Sequence, residues 1–521
     1  MNIATVFSGI GAIEHALERM DVDYNIVFAS DNGGINLFEK RISISTSSIW
    51  EEMGYLKTNL FVIKNTTSSY FSSLIENKIS HIELKYNDSI HKIEKFLLND
   101  LEVKSIDHDI FKQLLSYKVK IPKSDKENQK KFQRLLRSIK DIIKQLNQLH
   151  YIIGVHNVKK TLATIESSKE KKYYVDNLYA ECKKTNYVEK SYFANYNINK
   201  ENFHYDINFI DGNIFKNKID LFVGGSPCQS FSMVGKRQGL DDTRGTLFYD
   251  FARLISEIEP KVFIYENVKG LLTHDKGTTW DIMKRVFNEL NYNWSYSTLN
   301  SKDFGIPQNR ERLFVVGIRK DITPIINFSF PKPIPLKHTM KDFLLDSAPS
   351  KYYLPKKGVK FVTKKRNIEK RYTQVDGDIQ LCQKANQQFN WHGDFVTENN
   401  TSFETEKLEK YFLSEKVRNY VLSSGTKNFY SKPKVDLDIA RPLLTTMHKM
   451  HRSGIDNYVE KNGRLRKLTP RECLRLMGFS DSFKIVVSDT QMYRQAGNSI
   501  VVDVLINLLE KIFEAIPGLK E

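Results

Sequence analysis

The sequence predicts an α/β fold, a doubly wound and mostly parallel sheet, and three observations carry that expectation. Short apolar runs alternate with helical stretches, as βαβ units require. The first run, Ile3 to Phe7, leads into SGIGA, and Ile13, Ala16 and Leu17 then recur at helical spacing. That order is strand, glycine turn, helix. The residues with chemistry to offer collect at the ends of the apolar runs, where sheets of this kind bind ligands.

The elements follow in order. NIVFAS is a second strand ending at Asp31, the place where such folds set an acid for a ribose hydroxyl. From 41 to 200 the rhythm breaks into a stretch rich in Lys, Asn, Ser and Ile. Within it Phe132, Leu135, Leu136, Ile139, Ile142, Ile143, Leu146 and Leu149 mark one face of a long amphipathic helix. Ser124 to Glu127 reads as its capping box. Packing within an inserted helical subdomain accounts for that face; a partner-binding or DNA-clamping role is the alternative. Strand-like runs resume at INFI (207–210), DLFVGG (220–225), KVFIYEN (261–267) and RLFVVGI (312–318), with LFYDFARLISEI as a helix between them. Beyond 320 the alternation stops, and residues 351–372 interleave lysines and arginines with aromatics. Such a mixture suits phosphate contacts and base stacking.

Composition narrows the partners. Lys and Arg number 79 against 62 Asp and Glu, a net charge of +17 that favours a polyanion, nucleic acid first. Biased base composition is the plainer source of the same excess. The four cysteines, Cys182, Cys228, Cys382 and Cys473, are far apart, which argues against a disulfide framework and suits a reducing interior. Cys473 reads as core, and Cys182 and Cys382 carry no motif. His448 and His451 lack a third ligand, so no metal is expected. No apolar run is long enough to cross a membrane, and the N-terminus lacks the marks of a signal peptide.

The sharpest question is GGSPCQSFS (224–232). Taken alone, Cys228 is either a small buried hydrophobe or a nucleophile at the mouth of a cleft. Its company favours the second. Glu266 closes the next apolar strand, and Arg310 and Arg312 alternate with Glu311, so both arginines share a face of an extended segment. A sulfur, a carboxyl and two guanidiniums suit a planar nitrogen heterocycle. The carboxyl engages a ring nitrogen, the guanidiniums hold oxygens, and the sulfur adds to an electron-poor ring carbon.

On these residues the chain resembles the DNA (cytosine-5)-methyltransferases of bacterial restriction-modification systems. FSGIGA (7–12) is similar to the family's cofactor loop, and GGSPCQSFS to its catalytic Pro-Cys motif. DDTRGTLFYDFARLI, YENVKGLL, QNRERLFVVG, RPLLTT, RKLTPRECLRLMGF and YRQAGNSIVVDVL follow in family order. The resemblance implies the Rossmann-like fold of S-adenosylmethionine-dependent methyltransferases, with a smaller target-recognition domain and a helical insert. It implies a catalytic set of Pro227, Cys228, Glu266, Arg310 and Arg312. S-adenosylmethionine would lie against Phe7, Gly9, Ile10, Gly11, Ala12, Asp31, Leu247, Asn498 and Ser499. Asn213 or Asp211 would take its adenine amine, since the usual Gly-Asp-Ile is here DGNI (211–214). Gln229, Ser232 and Arg244 would lie in the loop that closes on double-stranded DNA. The implied domains are a catalytic domain in three pieces (1–40, 201–320 and 483–521), the insert (41–200), a target-recognition domain (321–440) and a hinge region (441–482). A cytoplasmic monomer with a cognate endonuclease is the implied setting, with no membrane partner. A tRNA-directed relative and, from the glycine turn alone, a nicotinamide dehydrogenase are the competing readings.

Overall fold

The first strand and the turn after it set the frame. In the computed structural model β1 (Asn2–Val6) is buried from Ile3 onward. The chain turns through Gly9 and Gly11 into α1 (Ala12–Arg19), then pairs β2 (Asn25–Ser30) in parallel with β1. The structure describes residues 1–64, 69–122, 124–226, 247–323, 328–345, 352, 354, 356–384, 392–396 and 466–520. They form two compact units, Met1–Ile35 with Lys172–Glu521, and Asn36–Lys171.

The second unit is helical, with α2 (Thr46–Lys64), α3 (Ser69–Lys95), α4 (Ile110–Ser116) and α5 (Lys126–Ala163). The apolar stripe read from the sequence is the inner face of α5, where Phe132, Ile139, Ile142, Leu146 and Leu149 are buried. The N-cap is Asp125, whose carboxylate accepts from the Asn128 N–H at 3.0 Å; the expected capping box at Ser124 lies one residue too early.

The chain re-enters the first unit through α6 (Ser168–Glu181) and α7 (Tyr187–Asn195), a segment the sequence reading placed with the insert. Tyr192, Tyr196 and Phe203 lie in one apolar core with Ile10, Ile13 and Leu17, which is why this segment belongs to the sheet. Next come β3 (Phe203–His204), β4 (Leu221–Gly224), α8 (Leu247–Ile258), β5 (Val262–Val268), α9 (Thr278–Glu289), β6 (Tyr292–Asn300), β7 (Gln308–Asn309) and β8 (Glu311–Arg319). The main sheet has seven strands in the order β3-β2-β1-β4-β5-β8-β6, parallel except for β8, which runs against both its neighbours. This is the expected fold class, with two corrections. INFI is a 3₁₀ turn, because the Asp206 side chain captures the Asn208 N–H at 3.0 Å and bends the run. β6, a strand with a largely polar sequence, is present where no strand was expected.

The remaining described elements are α10 (Lys356–Val362), α11 (Lys365–Glu369), β9 (Thr373–Val375), β10 (Gln380–Leu381), β11 (Gly393–Val396), β12 (Arg466–Lys467), α12 (Pro470–Arg475), α13 (Asp489–Asn498) and α14 (Val502–Ala515). Cys473 is buried in α12. The last helix returns to α1, where Arg19 pairs with Asp503 at 2.7 Å and donates to the Gly478 carbonyl at 2.8 Å. The C-terminal segment thereby reaches the first turn.

Candidate active site

Parallel register brings three strand ends to one edge. Val6 pairs with Gly224, and Gly224 with Tyr265, so Phe7, Gly225 and Glu266 emerge side by side. A cleft of about 470 Å³, counting its open mouth, lies there. Its walls include Phe7, Gly9, Ala12, Glu266, Asn498 and Ser499. The sheet therefore joins residues more than 400 positions apart in sequence.

The first turn is tightly built. Gly11 has φ of 76°, and a Cβ there would lie 2.1 Å from the Tyr196 ring, so a side chain is excluded twice over. Tyr196 donates toward the Gly11 carbonyl at 2.7 Å, fastening α7 onto the turn. Ile10 points into the core instead of the cleft. Asp31 accepts from the Gly9 N–H at 3.0 Å and the Gly33 N–H at 2.8 Å. Burial raises its pKa, and those two backbone bonds oppose the rise. Asp211 accepts from both the backbone and the side-chain N–H of Asn213, which leaves the exposed Asn213 amide oxygen pointing away from that carboxylate. Leu247 begins α8 and packs against the apolar core below.

At the other wall Glu266 meets Arg312. Val268 is the cross-strand partner of Arg312, so Glu266 is its diagonal neighbour on the same face. Arg312 Nε lies 3.1 Å from Glu266 Oε1. Burial pushes the Glu266 carboxyl above its ordinary pKa, against the pull of Arg312 and then Arg310. The space beside it is reserved by Gly225, where a Cβ would lie 2.9 Å from Glu266 Oε2.

Arg310, expected in the catalytic set, is turned into the fold. It is 3% exposed, and its guanidinium donates to the carbonyls of Gln383 (2.6 Å), Gly497 (3.1 Å) and Ser499 (2.7 Å). Those bonds hold the Asn498–Ser499 turn at the cleft wall. Burial and the neighbouring Arg312 lower its pKa to about 10.

A family model described as C-5 cytosine-specific DNA methylase matches residues 171–514. The chain belongs to that family. It is a DNA cytosine-5-methyltransferase. The Type II methyltransferase M.SsoII of Shigella sonnei is 34% identical over 340 residues, 63% of this chain and 72% of the relative. M1.ScrFI of Lactococcus lactis subsp. cremoris is 32% identical over 371 residues, 71% and 76% of the two chains. M.HhaI of Haemophilus parahaemolyticus is 33% identical over 290 residues, covering 55% and 73%.

Pro227, Cys228, Gln229, Ser232 and Arg244 lie outside the described residues of the methyltransferase, as do RPLLTT and the two histidines at 448 and 451. The approach to Cys228 is described. Asn267 donates to the Ser226 carbonyl at 2.9 Å and to the Tyr265 hydroxyl at 2.8 Å, and that hydroxyl lies 2.7 Å from Ser226 Oγ. Asn267 thus anchors the residue that precedes Pro227, a role the sequence reading did not assign. Gln308, fully buried, donates to the Leu476 carbonyl at 2.6 Å and accepts from the Gln383 N–H at 2.9 Å. Cys382, which carried no motif, lies 3.9 to 4.0 Å from the guanidiniums of Arg310 and Arg312. Burial pushes its thiol up, and the two arginines outweigh that and pull it below its ordinary range. Only the alternation of Arg310 and Arg312 hinted that this region would be crowded with donors. Among the described residues no cluster could hold a metal, and no helix is long and apolar enough to cross a membrane.

Proposed function

We propose that this methyltransferase modifies C5 of a cytosine flipped out of duplex DNA, through a covalent bond from Cys228 to C6. The observation that carries the reading is Glu266 in the wall of the cleft bounded by the first turn and the Asn498–Ser499 turn, with Arg312 3.1 Å from its carboxylate. Flipping is required because a base inside the stack exposes too little of C5 and C6 for chemistry.

S-adenosylmethionine, when bound, supplies the methyl group that C5 accepts. The residues present fit it: an aromatic ring at Phe7, close backbone approach at Gly9, and the Asp31 carboxylate as an acceptor for a ribose diol. Asn498 and Ser499 complete the pocket, with Leu247 at its margin and Asn213 the residue favoured for the adenine amine. The Cys228 thiolate forms an S–C6 bond while the ring electron pair moves toward C5. Glu266, its pKa raised by burial, gives a proton to N3. Arg312 balances the carboxylate that results. After alkylation the C5 proton leaves to solvent, its bonding pair restores the C5–C6 double bond, and the S–C6 bond breaks. Thiolate returns to Cys228, and the N3 proton to Glu266.

Pro227 shapes the cysteine turn, and Gln229, Ser232 and Arg244 contact the DNA opened by flipping. Residues 321–440 read the target sequence. The setting is a cytoplasmic monomer that protects sites cut by a cognate endonuclease. Methylation of unmethylated plasmid, read at base resolution beside Cys228→Ala, tests this. Modified cytosines at one short motif from the wild type alone are expected. Equal modification by the variant removes Cys228 from the mechanism, and no modification by either removes duplex DNA as the substrate.

A further inference from the structure

The second unit carries a surface that the methyl-transfer chemistry does not use. Helix α5 contains nine lysines and arginines and only two acids, Glu127 and Asp141. Six of the cations, Lys126, Lys130, Arg134, Arg137, Lys140 and Lys144, are exposed, and none has an ion-pair partner among the described residues. At 100° per residue these six fall within an arc of roughly 120°, opposite the buried Phe132, Ile139, Ile142 and Leu146. The two acids offset the stripe only in part, Lys144 acting on Asp141 at longer range. Glu127 is engaged by Lys131 at 3.4 Å, and Asp141, which shares the face, is engaged by Lys85.

The geometry is that of a rail. From Lys126 to Lys144 the helix rises about 27 Å, the length of roughly eight base pairs of duplex. Cations one turn apart repeat at about 5–6 Å, close enough to serve successive phosphates. The turn leading into α5 adds the exposed Lys118 and Lys120 and is tied to the helix by Gln129, which donates to the Ile121 carbonyl at 2.9 Å. No exposed aromatic interrupts the stripe, so it offers charge without a stacking platform. Charge in this pattern recognises backbone and carries no base readout.

We propose that the outer face of α5 is a second DNA contact, gripping the phosphate backbone of duplex DNA independently of sequence. It rests on the reading of duplex DNA as the substrate. A tethered second contact raises overall affinity without any new interaction at the cleft.

The test uses the full chain and a duplex of about 40 base pairs containing the methylated motif, with affinity followed against salt. Lys130→Gln, Arg134→Gln and Arg137→Gln together remove three cations. The salt slope is expected to fall by about 2.7, and binding near 0.1 M salt to weaken about ten- to several hundredfold. The charge-preserving set Lys130→Arg, Arg134→Lys and Arg137→Lys keeps the wild-type slope, which separates charge from packing. An unchanged slope in the triple Gln variant, with an unchanged melting temperature, overturns the proposal and leaves the stripe a solvated face. A loss confined to structured RNA also overturns it and assigns the face to RNA. A wild-type chain that binds no duplex overturns both this proposal and the reading beneath it.

Discussion

Two glutamates in the first unit are buried with raised pKa values, and they are raised for different ends. Glu14, beneath the first turn, is 0% exposed; one oxygen accepts from Thr5 at 3.1 Å and from the Tyr192 hydroxyl, and the other has no partner. Among the described residues no ion pair reaches it, and burial lifts its pKa to about 7 despite the hydrogen bond from Tyr192. Glu266, at the end of β5, is also lifted by burial, but Arg312 lies 3.1 Å away and Arg310 behind it. The difference is a guanidinium. A buried carboxyl without a cation keeps its proton and serves as a structural donor or acceptor; one beside a cation can hold or release the proton at modest cost. The second environment suits the proposed proton transfer, and the first suits a structural role.

The contrast breaks most visibly at Glu266. Glu266→Gln keeps the shape and loses the proton, so methyl transfer should fall by about 10²–10⁴, the usual worth of a positioned acid. Single-turnover methylation of plasmid measures it, with S-adenosylhomocysteine binding as the control for the fold. A loss under tenfold would make Glu266 a spectator. Arg310 sharpens the same contrast from the neighbouring residue. Arg310→Met deprives three buried carbonyls of their donor, at about 1–3 kcal/mol for each group left unmet. The melting temperature and the affinity for S-adenosylhomocysteine should drop together, because Ser499 lines the cleft. A drop in turnover with both unchanged would return Arg310 to the chemistry. Gly11→Ala disturbs the Glu14 side, where a Cβ at φ 76° meets the Tyr196 ring. A destabilisation of about 1–3 kcal/mol by denaturant titration is expected.

These duties were unequally legible in the sequence. β1, β2, β4, β5 and β8 announced themselves because strands buried on both faces need unbroken apolar runs. β6 did not, since it is the last strand in the order, paired on one side, and its tyrosines, serines and asparagines are mostly half exposed. Glu266, Arg310 and Arg312 could be placed at one edge from the period of two along a strand. Their separate tasks could not, because the partners of Arg310 come from residues 383, 497 and 499, and no local pattern reaches so far. Tyr192 and Tyr196 were hidden for the same reason. They stand in a polar stretch that reads as insert, and only the fold shows the first turn resting on them.

Glu14 tests the comparison in its purest form, because nothing catalytic obscures the result. Its carboxyl titrates near 4.5 when unfolded and near 7 when folded. Between those values the folded chain binds more protons than the unfolded one. Stability from this group is therefore complete below pH 4.5, declines as the pH rises to about 7, and is flat above, with a slope of at most about 1.4 kcal/mol per pH unit. Glu14→Gln reproduces the protonated shape without the titration. Its melting temperature should match the wild type near pH 5 and exceed it above pH 7. Tyr192→Phe removes a hydrogen bond that favours the charged form, so the folded pKa rises further and the decline extends to higher pH at the same limiting slope. If wild type and Glu14→Gln keep parallel profiles from pH 5 to 8, Glu14 is ionised in the fold. The absence of a cation would then not be what separates the two glutamates.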